Sequence, residues 1–143
     1  MNVLVINGPN LARLDIRDSS IYGDMTYPQL VAHIENAAGT HGFKADIRQS
    51  DDEATIIGWL HEAADAKLPV IINPAAFTHY SYAIRDAAEL LKAPLIEVHL
   101  SNPMAREEFR HTSVISGVAT GTIAGFGPNS YVLAINALKS LLG

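Results

Sequence analysis

Short apolar runs recur along the chain between stretches in which apolar residues return at the helical period. The runs Val3–Ile6, Phe43–Ile47, Val70–Ile72, Leu95–Val98 and Val118–Ile123 predict five strands. The first, third and fourth are apolar at successive rather than alternate positions, the pattern of a strand covered on both faces, and so they predict a parallel sheet. Helices are predicted where Leu30, Val31, Ile34, Ala37 and Ala38 share a face, then Ile56, Ile57, Leu60, Ala63 and Ala64, then Ala83, Ala87, Leu90 and Leu91, and last Leu133, Ala134, Ala137, Leu138 and Leu141. Thr26 before Pro28, Asp51 or Asp52, and Thr78 are the expected caps of the first three, and Gly42 the expected stop of the first. Strictly alternating strands and helices predict a doubly wound α/β fold, one domain over residues 1–143.

Two stretches break the alternation. Ala12–Asp24 is polar and has no apolar period, a length of loop that in a compact domain marks a lid or a binding loop. Ser101–Ser116 follows the fourth predicted strand. With 48% hydrophobic and 17% charged residues, the 143-residue chain has enough apolar surface for one core and is not a disordered segment. Ten Lys and Arg against fifteen Asp and Glu give a formal net charge of −5, and the basic residues are scattered, so no nucleic-acid partner is expected. The absence of cysteine excludes disulfides, thiolate metal sites and thiol nucleophiles. The chain reaches Asn7-Gly8-Pro9 too soon for a signal peptide or a membrane span, so a soluble, cytoplasmic protein with no membrane partner is expected.

In an open parallel sheet, ligands bind outside the carboxyl ends of the strands. The first predicted strand delivers Asn7-Gly8-Pro9-Asn10 there, the third Asn73-Pro74, and the fourth Glu97-Val98-His99-Leu100-Ser101-Asn102. One asparagine at a strand end is ordinarily a turn residue; three such ends together point to a site. Glu97 and His99, two apart in a strand, leave the same face, so a carboxylate can hold one imidazole nitrogen while the other addresses a ligand. The plainer reading is a structural pair at the sheet edge. His79, beside Thr78, is expected at the start of the third helix, while His33, His41, His61 and His111 read as surface residues. In the long loop Arg17 precedes Tyr22 by five residues; a guanidinium near a phenol favours the phenolate, a base strong enough to remove a proton α to a carbonyl. The alternative is an exposed tyrosine in a mobile loop. Arg106 and Arg110, four apart, suit an anionic group or a solvated face shared with Glu107 and Glu108.

Other chemistries lack their residues. Lys44, Lys67, Lys92 and Lys139 fall at element ends or turns, which disfavours a buried Schiff-base lysine. No glycine-rich phosphate loop follows the first strand, and no HExxH spacing offers metal ligands.

Six segments then occur in one order: Asn7-Gly8-Pro9-Asn10-Leu11, Arg17-x4-Tyr22-Gly23, Gln49-Ser50, Ile72-Asn73-Pro74, Thr78-His79-x-Ser81-x-Ala83-Ile84-Arg85-Asp86, and Glu97-Val98-His99-Leu100-Ser101-Asn102-x3-Arg106-Glu107-Glu108-Phe109-Arg110. Together they resemble type II 3-dehydroquinate dehydratase over essentially the whole chain. The resemblance implies a flavodoxin-like five-stranded parallel sheet and a cofactor-free, metal-free hydro-lyase. Its reaction is anti elimination from 3-dehydroquinate to 3-dehydroshikimate through an enolate, in a homododecamer built as a tetramer of trimers. Position by position it implies Tyr22 as base with Arg17 beside it, and Asn10 holding the water that stabilises the enolate oxygen. His99 is then the acid, oriented by Glu97. Asn73, His79 and Arg110 resemble contacts to substrate hydroxyls, Ser101 and the Leu100 amide a carboxylate cradle, and Asp86 a residue reaching the neighbouring subunit's site.

The chain departs from the family pattern in places. Asp15 replaces a usual glycine, and Asp18-Ser19 stands where Glu-Pro is frequent, which removes a rigidifying proline from the lid. Asp51-Asp52-Glu53-Ala54 replaces Asn-His-Glu-Gly, a change expected to act on helix capping or subunit packing more than on chemistry. Ala75-Ala76-Phe77 replaces Gly-Ala-Tyr, adding a methyl near the substrate floor. Two rival readings remain: a non-catalytic binder of polyol acids with this fold, motivated by the altered lid, and a flavodoxin-like mononucleotide binder.

Overall fold

The computed structural model describes residues 1–143. Five strands, β1 (Asn2–Asn7), β2 (Lys44–Gln49), β3 (Val70–Asn73), β4 (Leu95–His99) and β5 (Gly121–Ala124), form one parallel sheet in the order β2-β1-β3-β4-β5. Side chains alternate across it. Val3 and Val5 of β1, Ile71 of β3, and Ile96 and Val98 of β4 pack under α2 (Tyr27–Thr40) and α5 (Asn129–Leu142). Leu4 and Ile6, Val70 and Ile72, and Leu95 pack on the opposite face, under α3 (Glu53–Ala66) and α4 (Tyr82–Ala88). Both faces of β1, β3 and β4 are therefore buried, as their unbroken apolar runs require, and each fully buried Leu or Ile contributes about 1.5–3 kcal/mol.

The helix starts are chemically specified. Thr26 and Gln29 form a reciprocal capping box on α2, with Pro28 in its first turn. Asp52 caps α3 by accepting from the Ala54 amide. Thr78, expected to cap the third helix, does not: α4 begins at Tyr82, and Ser81 accepts from the Ile84 amide at 3.1 Å. Residues Ala75–His79 form a separate 3-10 turn, so His79 ends that turn and is not at the start of the helix as expected. The helix also stops at Ala88; Leu90 and Leu91 follow in tighter turns, their amides donating to the Ala87 and Ala88 carbonyls. Similarly, β5 begins at Gly121; Val118 and Ala119 are held in a turn by the Ile115 carbonyl.

The polar stretch Ala12–Asp24 is more ordered than a loop without period suggests. Leu11 and Leu14 anchor its start in the core under α2, and α1 (Ser19–Tyr22) is capped by Asp18, which accepts from the Ser20 amide. Asp15 pairs with Arg13 at 3.1 Å on the exposed outer side.

Candidate active site

The sheet's alternation decides what reaches its carboxyl edge. Asn7 and Asn73 are register partners that end β1 and β3 and share parity with Val5 and Ile71, so they face α5. Glu97 and His99 share parity with Leu95 and emerge on the α4 side. Between them opens a cleft of about 620 Å³, its open mouth included.

Asn10, Arg17, Tyr22, Asn73, His79, His99, Leu100, Ser101 and Arg110, nine of the residues singled out from sequence, all line it. Glu97 sits behind His99, and Asp86 lies on the exposed side of α4, outside the cleft. Arg106, read from sequence only as a possible anion contact, is a lining residue too. Its signal was the four-residue spacing to Arg110, which a solvated helix explains equally well; what brings it inward is a 3-10 turn, Pro103–Ala105, that periodicity does not reveal.

Glu97 is completely buried, and His99 nearly so. His99 Nε2 lies 2.5 Å from Glu97 Oε2, which leaves Nδ1 for the cleft. The hydroxyls of Thr78, Ser113 and Ser116 also donate to the Glu97 carboxylate. Burial pushes the Glu97 carboxyl up, but the hydrogen bond and charge of His99, with the hydroxyls of Ser116 and Thr78, outweigh it and hold the group below the ordinary carboxylate value. Thr78, lost as a helix cap, is used here instead. Across the cleft, His79 Nδ1 donates to the Thr112 carbonyl at 2.8 Å, fixing the ring with Nε2 free.

The two stretches that break the alternation contribute cations. The Arg17 guanidinium lies 3.5 Å from the Tyr22 ring centroid and that of Arg106 lies 5.1 Å from it. Arg106 Nη1 donates to Ser101 Oγ at 3.2 Å, while its buried Nε has no hydrogen-bond partner. With Arg110, three guanidinium groups line the cleft of a chain whose net charge is negative, and no Asp or Glu is among the lining residues.

The floor is set by a close approach of β1 to β3. A Cβ on Gly8 would stand 2.6 Å from the Pro74 carbonyl oxygen, so only glycine fits there. Asn10 takes a left-handed φ of 68°, and its amide donates to Asp51 Oδ1 at 2.9 Å. Of the altered Asp51-Asp52 pair, then, Asp52 acts in capping as expected, whereas Asp51 touches a site residue. Ala75 lines the floor with a left-handed φ of 52°, supported by its amide donating to Asn73 Oδ1. No group of three or more His, Asp or Glu side chains converges in a geometry suited to a metal ion.

No lysine or carboxylate enters the cleft, so the chemistry its side chains offer is proton transfer on a bound anion, from a phenol on the loop and an imidazole on the strand. The cleft thus brings side chains capable of proton transfer to the carboxyl edge of an α/β sheet, the edge where such folds bind their ligands. The family model for class II dehydroquinase matches residues 1–139. A 3-dehydroquinate dehydratase of Mycobacterium avium is 56% identical over 138 residues, 96% of either chain, and one of Mycobacteroides abscessus is 55% identical over 135 residues, 94% of either. The crystal structure of a type II dehydroquinase from Propionibacterium acnes matches with a TM-score of 0.95 at 50% identity, covering 97% of this chain and 96% of that one. The chain belongs to the class II dehydroquinase family, and its fold is the five-stranded flavodoxin-like sheet that the motifs implied.

Proposed function

We propose that this chain is a 3-dehydroquinate dehydratase, acting as one catalytic domain over residues 1–143. The observation that carries the reading is the union in one cleft of Tyr22, His99 and three guanidinium groups with no competing carboxylate. Tyr22, as phenolate, takes a proton from C2 of the substrate and the electron pair forms an enolate. Arg17 and Arg106, stacked at the ring, compensate the negative charge that the phenolate carries into this step. Asn10 holds the water that hydrogen-bonds the enolate oxygen. The enolate then collapses, the C1 hydroxyl leaves, and protonated His99 gives it a proton from Nδ1, so that water and 3-dehydroshikimate result. Glu97 keeps the ring oriented through Nε2.

Asn73, His79 and Arg110 take the remaining substrate hydroxyls, and Ser101 with the Leu100 amide takes the carboxylate. Asp86, exposed on α4, reaches the site of a neighbouring subunit in a dodecamer of four trimers, so turnover depends on assembly. No helix is long and apolar enough to cross a membrane, in keeping with an enzyme of the cytoplasm acting on a small polar acid.

The test follows the absorbance of the conjugated enone as purified protein meets 3-dehydroquinate, with borohydride-treated enzyme alongside. A rise insensitive to borohydride, abolished in Tyr22→Phe while that variant still binds substrate, is the expected result. Saturable binding without any rise favours the non-catalytic homologue, and a Tyr22→Phe variant of near-normal rate overturns the assigned base.

A further inference from the structure

We propose that Tyr131, fully buried on α5, is a positioning residue for substrate binding that acts through Asn73. The inference rests on the reading of Asn73 as a substrate contact. Asn7 and Asn73 stand side by side at the ends of β1 and β3, and the Tyr131 hydroxyl is inserted between their amides. It donates to Asn7 Oδ1 at 2.6 Å and accepts from Asn73 Nδ2 at 3.0 Å. A phenol has one proton, and Asn7 Oδ1 can only accept, so the direction of both bonds is fixed. Asn7 Nδ2 in turn points to the Tyr27 hydroxyl at 3.4 Å, so both ends of the Asn7 amide have a partner. Burial pushes the Tyr131 phenol well above its ordinary value, only partly offset by the Asn73 hydrogen bond, so it remains a neutral donor.

The consequence appears at the cleft. The Ala75 backbone N–H can only donate, so it takes Asn73 Oδ1 as its acceptor at 3.1 Å, and the Tyr131 oxygen holds the other end of the amide through one Nδ2 hydrogen. The bond to Oδ1 supports the left-handed turn at Ala75, and the second Nδ2 hydrogen is left for a ligand. Without the Tyr131 hydroxyl, Asn7 Oδ1 and Asn73 Nδ2 lose their buried partner, and the Asn73 amide is held at its Oδ1 end alone, free to swing its Nδ2. None of Asn7, Tyr27 and Tyr131 lines the cleft, so their effect on substrate passes through Asn73.

A double-mutant cycle tests this, with kcat and KM read from the enone absorbance and thermal midpoints measured alongside. Tyr131→Phe is expected to lower kcat/KM about tenfold, chiefly through KM, which corresponds to about 1.4 kcal/mol. In an Asn73→Ala background the same change is expected to lower kcat/KM no further, while its effect on the midpoint persists in both backgrounds. Equal losses of kcat/KM in the two backgrounds, or none in the unaltered enzyme, overturn the proposal. An Asn73→Ala variant with unchanged KM overturns the substrate contact itself and the proposal with it, whereas a large Asn73→Ala effect with additive Tyr131→Phe sinks the proposal alone. Asn7→Ala, which removes the acceptor of the Tyr131 proton but keeps the ring, is expected to show the same non-additivity, and it decides the matter if Tyr131→Phe does not fold.

Discussion

Glu97→Gln is the substitution that best separates charge from shape in this site. The glutamate has no exposure to solvent and receives hydrogen bonds from His99, Thr78, Ser113 and Ser116. Glutamine fills the same volume but can accept at only one of its two ends. Its NH2 cannot face His99 Nε2 and Thr78, which both donate, so it turns toward Ser116 and Ser113, whose hydroxyls can rotate to accept. The geometry around His99 survives, while the charge assistance of its bond is lost, and charged hydrogen bonds are about twice as strong as neutral ones. A stability loss of about 1–2 kcal/mol follows. If His99 is the acid, it loses the charged partner that holds its ring, and kcat falls about tenfold to a hundredfold. The sign of the pH dependence is fixed by the depressed carboxyl. A group held below its ordinary 4.5 in the folded state adds stability that is complete above that value and is lost as pH falls through the lower, folded value. Urea unfolding at fixed protomer concentration should therefore show a gap between the two proteins that is full at neutral pH and closes under acid. A gap unchanged between neutral and acid pH, or a kcat within twofold of the original, refutes the ionised, His99-coupled Glu97 described here.

Other substitutions isolate single contacts. Arg106→Gln, which removes a guanidinium from Tyr22 and Ser101, should lower kcat/KM at least about tenfold, or about 1.4 kcal/mol, in the enone assay. Ala75→Gly relieves a left-handed alanine worth about 1–2 kcal/mol and gives back about 0.4–1 kcal/mol in chain entropy. It should therefore raise stability by about 0.5–1 kcal/mol, read as a thermal midpoint higher by a few degrees. Asp52→Ala should cost about 1 kcal/mol through loss of the α3 cap, and Asp52→Asn much less, as judged by urea midpoints.

What could be read from the sequence and what could not divides along the range of the interactions involved. The strands β1, β3 and β4 are legible because burial on both faces leaves an unbroken apolar run, and α2 and α3 because their caps are local side-chain chemistry. The pairing of Glu97 with His99 follows from strand parity alone. Thr78 shows where local rules stop. As a threonine before a helical pattern it reads as a cap, yet the buried carboxylate of Glu97, nineteen residues away, takes its hydroxyl, and Ser81 caps the helix in its place. Leaving that carboxylate short of a donor costs more than moving a helix start by one turn, so the tertiary demand wins. Tyr131 is the extreme case. It lies on an amphipathic helix where any large apolar residue satisfies the pattern, and its partners are Asn73, 58 positions away, and Asn7, 124 positions away. Nothing near it in the chain distinguishes a tyrosine that fills the core from one that orients the floor of the cleft. Only the sheet register, which sets Asn7 beside Asn73, turns its hydroxyl from a buried cost into a constraint on the site.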